Sequence, residues 1–221
     1  HIVFAYTNTL YSRYQADRDR LSELFSTMMG IIFRGSAFVA LLLLANAYEV
    51  MALLKTEWAA AAPMMVWLAG YAFLRPLFDD GIGLLWAVGD TRRTAGIMGA
   101  QALVALLIVP AAILWKGVEG LAYSMGVVAA VGVGGVFIGL KRYVNIAWRR
   151  VFAGPLFALV LAIFGNGVYN HIFNFPWWVD LILRSGILLV IYVGTLWLLE
   201  REAIAANWKQ LRHVLREEDN T

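Results

Sequence analysis

Residues 94–115 read TAGIMGAQALVALLIVPAAILW, a run with no charged side chain, closed by Arg92 and Arg93 on one side and by Lys116 on the other. As a helix rising 1.5 Å per residue it is about 33 Å long, enough to cross the ~30 Å hydrocarbon core of a bilayer. Five further stretches are predominantly apolar and long enough as well: residues 25–46, 59–88, 121–140, 151–173 and 177–199. The second exceeds a single crossing and is interrupted by Pro76, Gly81 and Gly83, so a kink is expected at the proline, which removes a backbone donor and crowds the preceding turn. Hydrophobic residues make up 61% of the 221 positions and charged residues 15%, against roughly 45–50% and about 25% in soluble domains. A water-soluble globule of this size has too little interior to hide so much apolar surface. The expected fold is therefore an all-α polytopic membrane protein with about six transmembrane helices.

The charges set an orientation. If the loop over residues 11–21 is cytoplasmic, thirteen of the eighteen Lys and Arg residues fall on that side and only Lys55 and Lys116 on the other. Cytoplasmic loops hold the excess of basic residues, so both the N-terminal loop and the C-terminus are expected in the cytoplasm. Tryptophans repeat the pattern. Trp58, Trp115, Trp177 and Trp178 sit at outer ends and Trp86, Trp148 and Trp197 at inner ends, with Trp67 the exception. Beyond residue 199 the chain turns polar. Ile204, Trp208, Leu211 and Leu215 recur at helical spacing there, as in an amphipathic helix on the cytoplasmic surface; a solvated helical tail is the bland alternative.

The chemistry of soluble enzymes finds no purchase. The chain has no cysteine, no phosphate-binding glycine loop, no zinc-protease helix and no serine-nucleophile elbow. His1, His171 and His213 are far apart, so no metal and no cofactor are expected, nor enzymatic activity. The Gly132-Val-Gly-Gly135 run and Gly139 lie inside an apolar stretch, where small residues four apart let a neighbouring helix approach. What stands out are ionisable residues inside the spans, which cost at least ~2.5–3.5 kcal/mol each at the centre and usually face a bundle interior or an aqueous cavity. Arg34 lies about 15 Å from the inner end of its span, Asp79 and Asp80 about 13–15 Å, and Arg75 about 20 Å; Arg184 is nearer the outer side. Equal depth lets Arg34 meet Asp79 or Asp80, and Arg75 can pair with Asp79 one turn away. Two readings stand level: internal ion pairs that hold helices in register, or arginines presented to a cavity that an anionic substrate group traverses.

Four segments in order carry a family resemblance. LYSRYQADRDRL at residues 10–21 resembles a cytoplasmic loop of polysaccharide flippases. WAAAAP at 58–63 with LAGY at 68–71 resembles their entry to the following helix, LLWAVGDTRR at 84–93 their inner turn, and KGVEGLAYS at 116–124 the loop opening the next helix. Together they cover about residues 10–140 and are similar to the multidrug/oligosaccharidyl-lipid/polysaccharide exporter superfamily, its O-antigen type flippase branch above all. The resemblance implies two pseudo-symmetric lobes around a cavity that opens alternately to either side, of which this chain is most of the second. On it residues 1–24 are the end of a truncated helix and a loop, 25–140 a four-helix portion of the lobe, 141–199 two additional helices, and 200–221 the tail.

The implied function is translocation of a lipid-linked oligosaccharide across the cytoplasmic (inner) membrane, with Arg75 and Arg34 binding the anionic linkage, Asp79 and Asp80 serving as pairing or ion-coupling groups, and Arg184 a secondary candidate. Expected partners are membrane lipid, an N-terminal lobe or other membrane subunits, and a lipid-linked glycan, with no nucleic acid. The alternatives are a cation-coupled drug antiporter of the same superfamily and a non-transporting subunit of a larger membrane complex.

Overall fold

A computed structural model describes the backbone of residues 2–54, 56–173 and 175–218, and the side chains of Thr7 and of residues 9–54, 57–173 and 175–201. Helices account for nearly all of it, and no strand occurs among the described residues. In order they are α1 (Ile2–Tyr14), α2 (Arg18–Ala45), α3 (Ala47–Leu54), a 3₁₀ turn (Thr56–Ala61), α4 (Ala62–Ala87), α5 (Thr91–Leu140), a π-turn (Arg149–Ala153), α6 (Gly154–Ile172) and α7 (Trp177–Glu218). Among the described residues five helical stretches are long and apolar enough to cross a membrane: Arg18–Ala45, Glu57–Ala87, Thr91–Leu140, Arg149–Ile172 and Trp177–Arg201.

The sequence separates residues 94–115 from 121–140, and the helical run α5 breaks between them and folds back on itself. Lys116 (φ −131°) and Gly117 (φ +60°, ψ −139°) leave helical geometry, and the positive φ suits the one residue without a Cβ. Beyond this break the chain runs back along itself. Arg93 donates to the Gly139 carbonyl at 2.9 Å and Gln101 to that of Val128 at 3.1 Å, although 46 residues of straight helix would separate the first pair by about 69 Å. The arms close tightly because of the glycines. A Cβ on Gly132 would overlap the Gln101 side chain, and one on Gly139 would press within 2.9 Å of Arg93 Cδ. The expected close approach of helices at these small residues is thus between the arms of one hairpin.

α2 is the centre of the packing. Asp17 caps it by accepting from the Arg20 amide at 3.1 Å, so the helix begins seven residues before the apolar run and leaves a short turn after α1. One face of α2 carries Phe25, Met29 and Phe33 into a core with Tyr11 of α1, Leu77 and Ile82 of α4, and Val136 and Leu140 of α5. A second face carries Ala37 and Leu41 against Ala158 and Ala162 of α6 and Leu188 and Tyr192 of α7. α6 and α7, the two helices read as additional, therefore form their own cluster on one side of α2. α4 runs helical through Pro76. Gly81, which looked like an interruption, is a packing point instead, since a Cβ there would overlap Val136. Outward faces are apolar, with Leu114 89% and Leu106 73% exposed, as on a surface that meets lipid.

α7 continues unbroken from the last apolar span to Glu218, so the tail is an extension of the same helix rather than a separate one. The side chains of Ile204, Trp208, Leu211 and Leu215 lie outside the described residues.

The connection between α4 and α5 is tied at its polar end. Gly89 turns with φ +76°, and Asp90 caps α5 by accepting from the Arg93 amide at 3.2 Å while also accepting from the Tyr143 phenol at 2.7 Å. The phenol holds the Asp90 carboxyl below the ordinary carboxylate range against some desolvation, helped by the Arg93 amide and the charges of Arg93 and Arg142. Tyr143 is raised in turn, first by the same bond. A depressed folded-state carboxyl stabilises above its unfolded pKa and loses that contribution as pH falls through the folded value, so this tie weakens in acid and holds at neutral pH.

Candidate functional site

The ionisable residues singled out in the apolar stretches fall into four separate groups. Arg34 does not meet Asp79 or Asp80. Its Nε and Nη2 both donate to Glu200 Oε2, at 2.8 and 2.6 Å, from side chains 14% and 11% exposed. The reason is angular. Successive residues on a helix point about 100° apart, so Phe33 faces α4 while Arg34 turns toward the Ala37 and Leu41 face that packs on α6 and α7. Tyr192 donates to the Arg34 carbonyl at 3.0 Å on the same side. Gly154, at the start of α6, makes room for the pair, because a Cβ there would overlap the Glu200 carboxylate.

The two adjacent aspartates divide in the same way. Asp79 points outward and pairs with Arg75, whose Nε donates to Oδ2 at 3.0 Å. Asp80 points inward, is 3% exposed, and accepts from the Tyr11 phenol, at 3.0 and 3.2 Å to its two oxygens. A buried carboxyl with a neutral phenol as its partner among the described residues carries no compensating cation.

Arg184 is engaged elsewhere through both terminal nitrogens, while its buried Nε finds no partner among the described residues. Its Nη1 donates to the Ala45 carbonyl at 2.7 Å and to Glu49 at 2.9 Å, and its Nη2 donates to Asp180. Tyr169 donates to the other Asp180 oxygen at 2.7 Å and lays its ring 5.5 Å from the guanidinium. Two carboxylates on one arginine join α3 and α7 and leave that guanidinium little capacity for a substrate.

Arg75 differs from the other three groups. Its side chain is half exposed and stands at the rim of a recess of about 220 Å³ between α4 and the α5 hairpin, lined among others by Tyr71, Phe78, Gln101, Met125 and Val128. Tyr71 lies 3.5 Å from Nη1, and the Phe78 ring sits 5.5 Å from the guanidinium carbon. Nη2 has no hydrogen-bond partner among the described residues. Such a group holds one edge of its fork against Asp79 and leaves another for a phosphate or carboxylate oxygen.

Of the residues singled out in the sequence, then, the fold brings together Arg75 and Asp79, separates both from Asp80, and places Arg34 and Arg184 in ion pairs of their own. Tyr11, Glu49, Tyr169, Asp180 and Glu200 complete these groups and were not singled out. Asp180 four residues before Arg184 is the one with a readable signal, the helical spacing of an ion pair.

No protein-family model, curated protein or solved structure matches this chain. Fold and site together define an all-helical protein with several helices long and apolar enough to cross a membrane and with charged groups buried in pairs among its helices.

Proposed function

We propose that this chain is the C-terminal part of a flippase that moves a lipid-linked oligosaccharide precursor across the cytoplasmic membrane. The observation that carries the reading is Arg75, a half-exposed cation on a helix apolar enough to cross a membrane, beside a recess and with part of its guanidinium without a partner among the described residues. A charge is expensive in a bilayer and is retained where it faces a substrate path, and a planar guanidinium fits the oxygens of a pyrophosphate link. The four motif resemblances point the same way. Alternation of access would come from rocking of this lobe against another around the recess.

In this reading α2, α4, the two arms of α5, α6 and the first part of α7 make six crossings, with the turn before α2 and the tail both cytoplasmic. Single cysteines at Gln15 and Asn220 should resist an impermeant thiol reagent in intact cells and react after permeabilisation. Ready labelling of either in intact cells would contradict the topology.

A second reading is favoured by a specific observation, the buried Asp80 carboxyl that accepts from the neutral Tyr11 phenol. It is a cation-coupled drug antiporter in which Asp80 is the ion-responsive group. Depletion of the protein in its host separates the two readings. Flipping predicts that lipid-linked oligosaccharide accumulates in the inner leaflet while surface glycan declines. Unchanged glycan with loss of sodium- or proton-dependent drug efflux would overturn it in favour of the antiporter.

A further inference from the structure

The outer side of the α5 hairpin carries a second recess, of about 840 Å³, that belongs to none of the charge groups above. Its walls come from Gly96, Ile97 and Ala100 of one arm and Val131, Gly135 and Ile138 of the other. Gly96, Ala100, Val131 and Ile138 are exposed, so the recess opens on the outside of the bundle. It follows the arms for about 10–12 Å, seven or eight residues of helix. Its two ends differ. Toward the hairpin turn it runs out onto a bare apolar face, where Leu103, Leu106 and Leu107 are 59–73% exposed. At the other end stand Arg93, Lys141 and Arg142. Arg93 is spent on the Gly139 carbonyl and on Asp90. Lys141 and Arg142 are exposed and make no side-chain hydrogen bond or ion pair among the described residues.

We propose that this groove binds an anionic phospholipid of the leaflet on the basic side of the protein, one acyl chain lying against Gly96, Ala100, Gly135 and Ile138 and the phosphate meeting Lys141 and Arg142. The charge pattern selects this occupant. Among the described residues no acidic side chain lines the groove, Asp90 acting on Arg142 only from beyond it, so an apolar helix of another protein laid along it would bring nothing to match Lys141 and little to match Arg142. A zwitterionic headgroup brings its own cation to the same place. An anionic headgroup supplies the missing charge, and basic pockets between membrane helices are where such headgroups bind. The glycines make the groove deep enough for a chain, and the exposed leucines continue it into ordinary lipid. The site rests on the membrane setting alone and is independent of whether Arg75 carries a substrate.

The test is retention of lipid by the full-length protein in mild detergent, read by native mass spectrometry after addition of dioleoyl phosphatidylglycerol or dioleoyl phosphatidylcholine. The wild type should hold the anionic lipid in preference to the zwitterionic one. Lys141→Gln with Arg142→Gln should reduce retained phosphatidylglycerol about tenfold and leave phosphatidylcholine unchanged, since each interfacial cation contributes attraction to anionic lipid. Gly96→Leu should reduce it comparably by filling the groove. A Cβ at Gly96 meets nothing within 4 Å, so the hairpin contact is untouched, and an unshifted gel-filtration peak confirms folding. Equal retention of the two lipids by the wild type, or undiminished phosphatidylglycerol in either folded variant, would overturn the proposal. So would a photo-crosslinker at Ala100 that captures polypeptide rather than lipid in native membranes.

Discussion

Removing either partner of the Arg34–Glu200 pair should destabilise the protein by about 3–5 kcal/mol, because the survivor is a charge held away from water with nothing opposite it. Arg34→Met leaves the Glu200 carboxylate between α2, α6 and α7; Glu200→Leu leaves the guanidinium there. Replacing both together puts apolar groups of similar bulk into the same space, and buried pairs exchanged in this way lose little or nothing. Thermal unfolding in detergent, followed by size exclusion, should therefore show two severe single variants and a mild double. A double variant as unstable as the sum of the singles would mean that the two residues do not interact. Gly154→Ala is a third probe of the same contact, since its Cβ would displace the Glu200 carboxylate. It should fall between wild type and the singles.

Equal depth from the inner surface suggested that Arg34 would meet Asp79 or Asp80, and that inference failed for a physical reason. Counting 1.5 Å per residue gives a depth but not a direction, and direction decides which helix a side chain meets. Glu200 was also hidden from such reasoning because the apolar run ends at Leu199, and the next residue reads as the start of a solvated tail. The helix does not end there; Glu200 lies one turn beyond Leu196 on the face that packs against α2. The division between Asp79 and Asp80 could have been seen in part. Leu77, Gly81 and Leu84 mark the buried stripe of α4, and Asp80 falls beside it whereas Asp79 does not. Its partner Tyr11 could not, being 69 residues away on another helix.

The apolar runs were legible throughout, because lipid leaves a chain few alternatives to long apolar helices. Even the break between residues 115 and 121 could be read, since Lys116 and Gly117 interrupt the run where the hairpin turns. The tight closure of its arms followed from the glycines. Which of the arginines would stand least occupied was not legible, since Arg75 and Arg34 read alike as candidates and Glu200, the partner that takes Arg34, lies beyond the apolar run. The recess beside Arg75 needed the fold, because its far wall comes from Gln101, Met125 and Val128 of α5.

Arg75 therefore bears the functional claim, and its substitutions should affect transport far more than folding. Its pair with Asp79 is half exposed, so losing it costs little stability; exposed pairs on a helix are worth only about 0.3–0.5 kcal/mol. A phosphate held by the free edge of the guanidinium is another matter. Lysine keeps the charge and loses the fork, whereas glutamine and alanine lose both. Loss of a charge-assisted bidentate contact is worth about 1.5–3 kcal/mol or more, roughly tenfold to a hundredfold in binding. The deciding measurement is a surface-glycan complementation assay of Arg75→Lys, Arg75→Gln and Arg75→Ala with the membrane abundance of each variant determined in parallel. The account predicts partial function for lysine and little for glutamine or alanine, all at normal abundance. Full complementation by Arg75→Ala, or activity that only tracks the amount of protein, would contradict it.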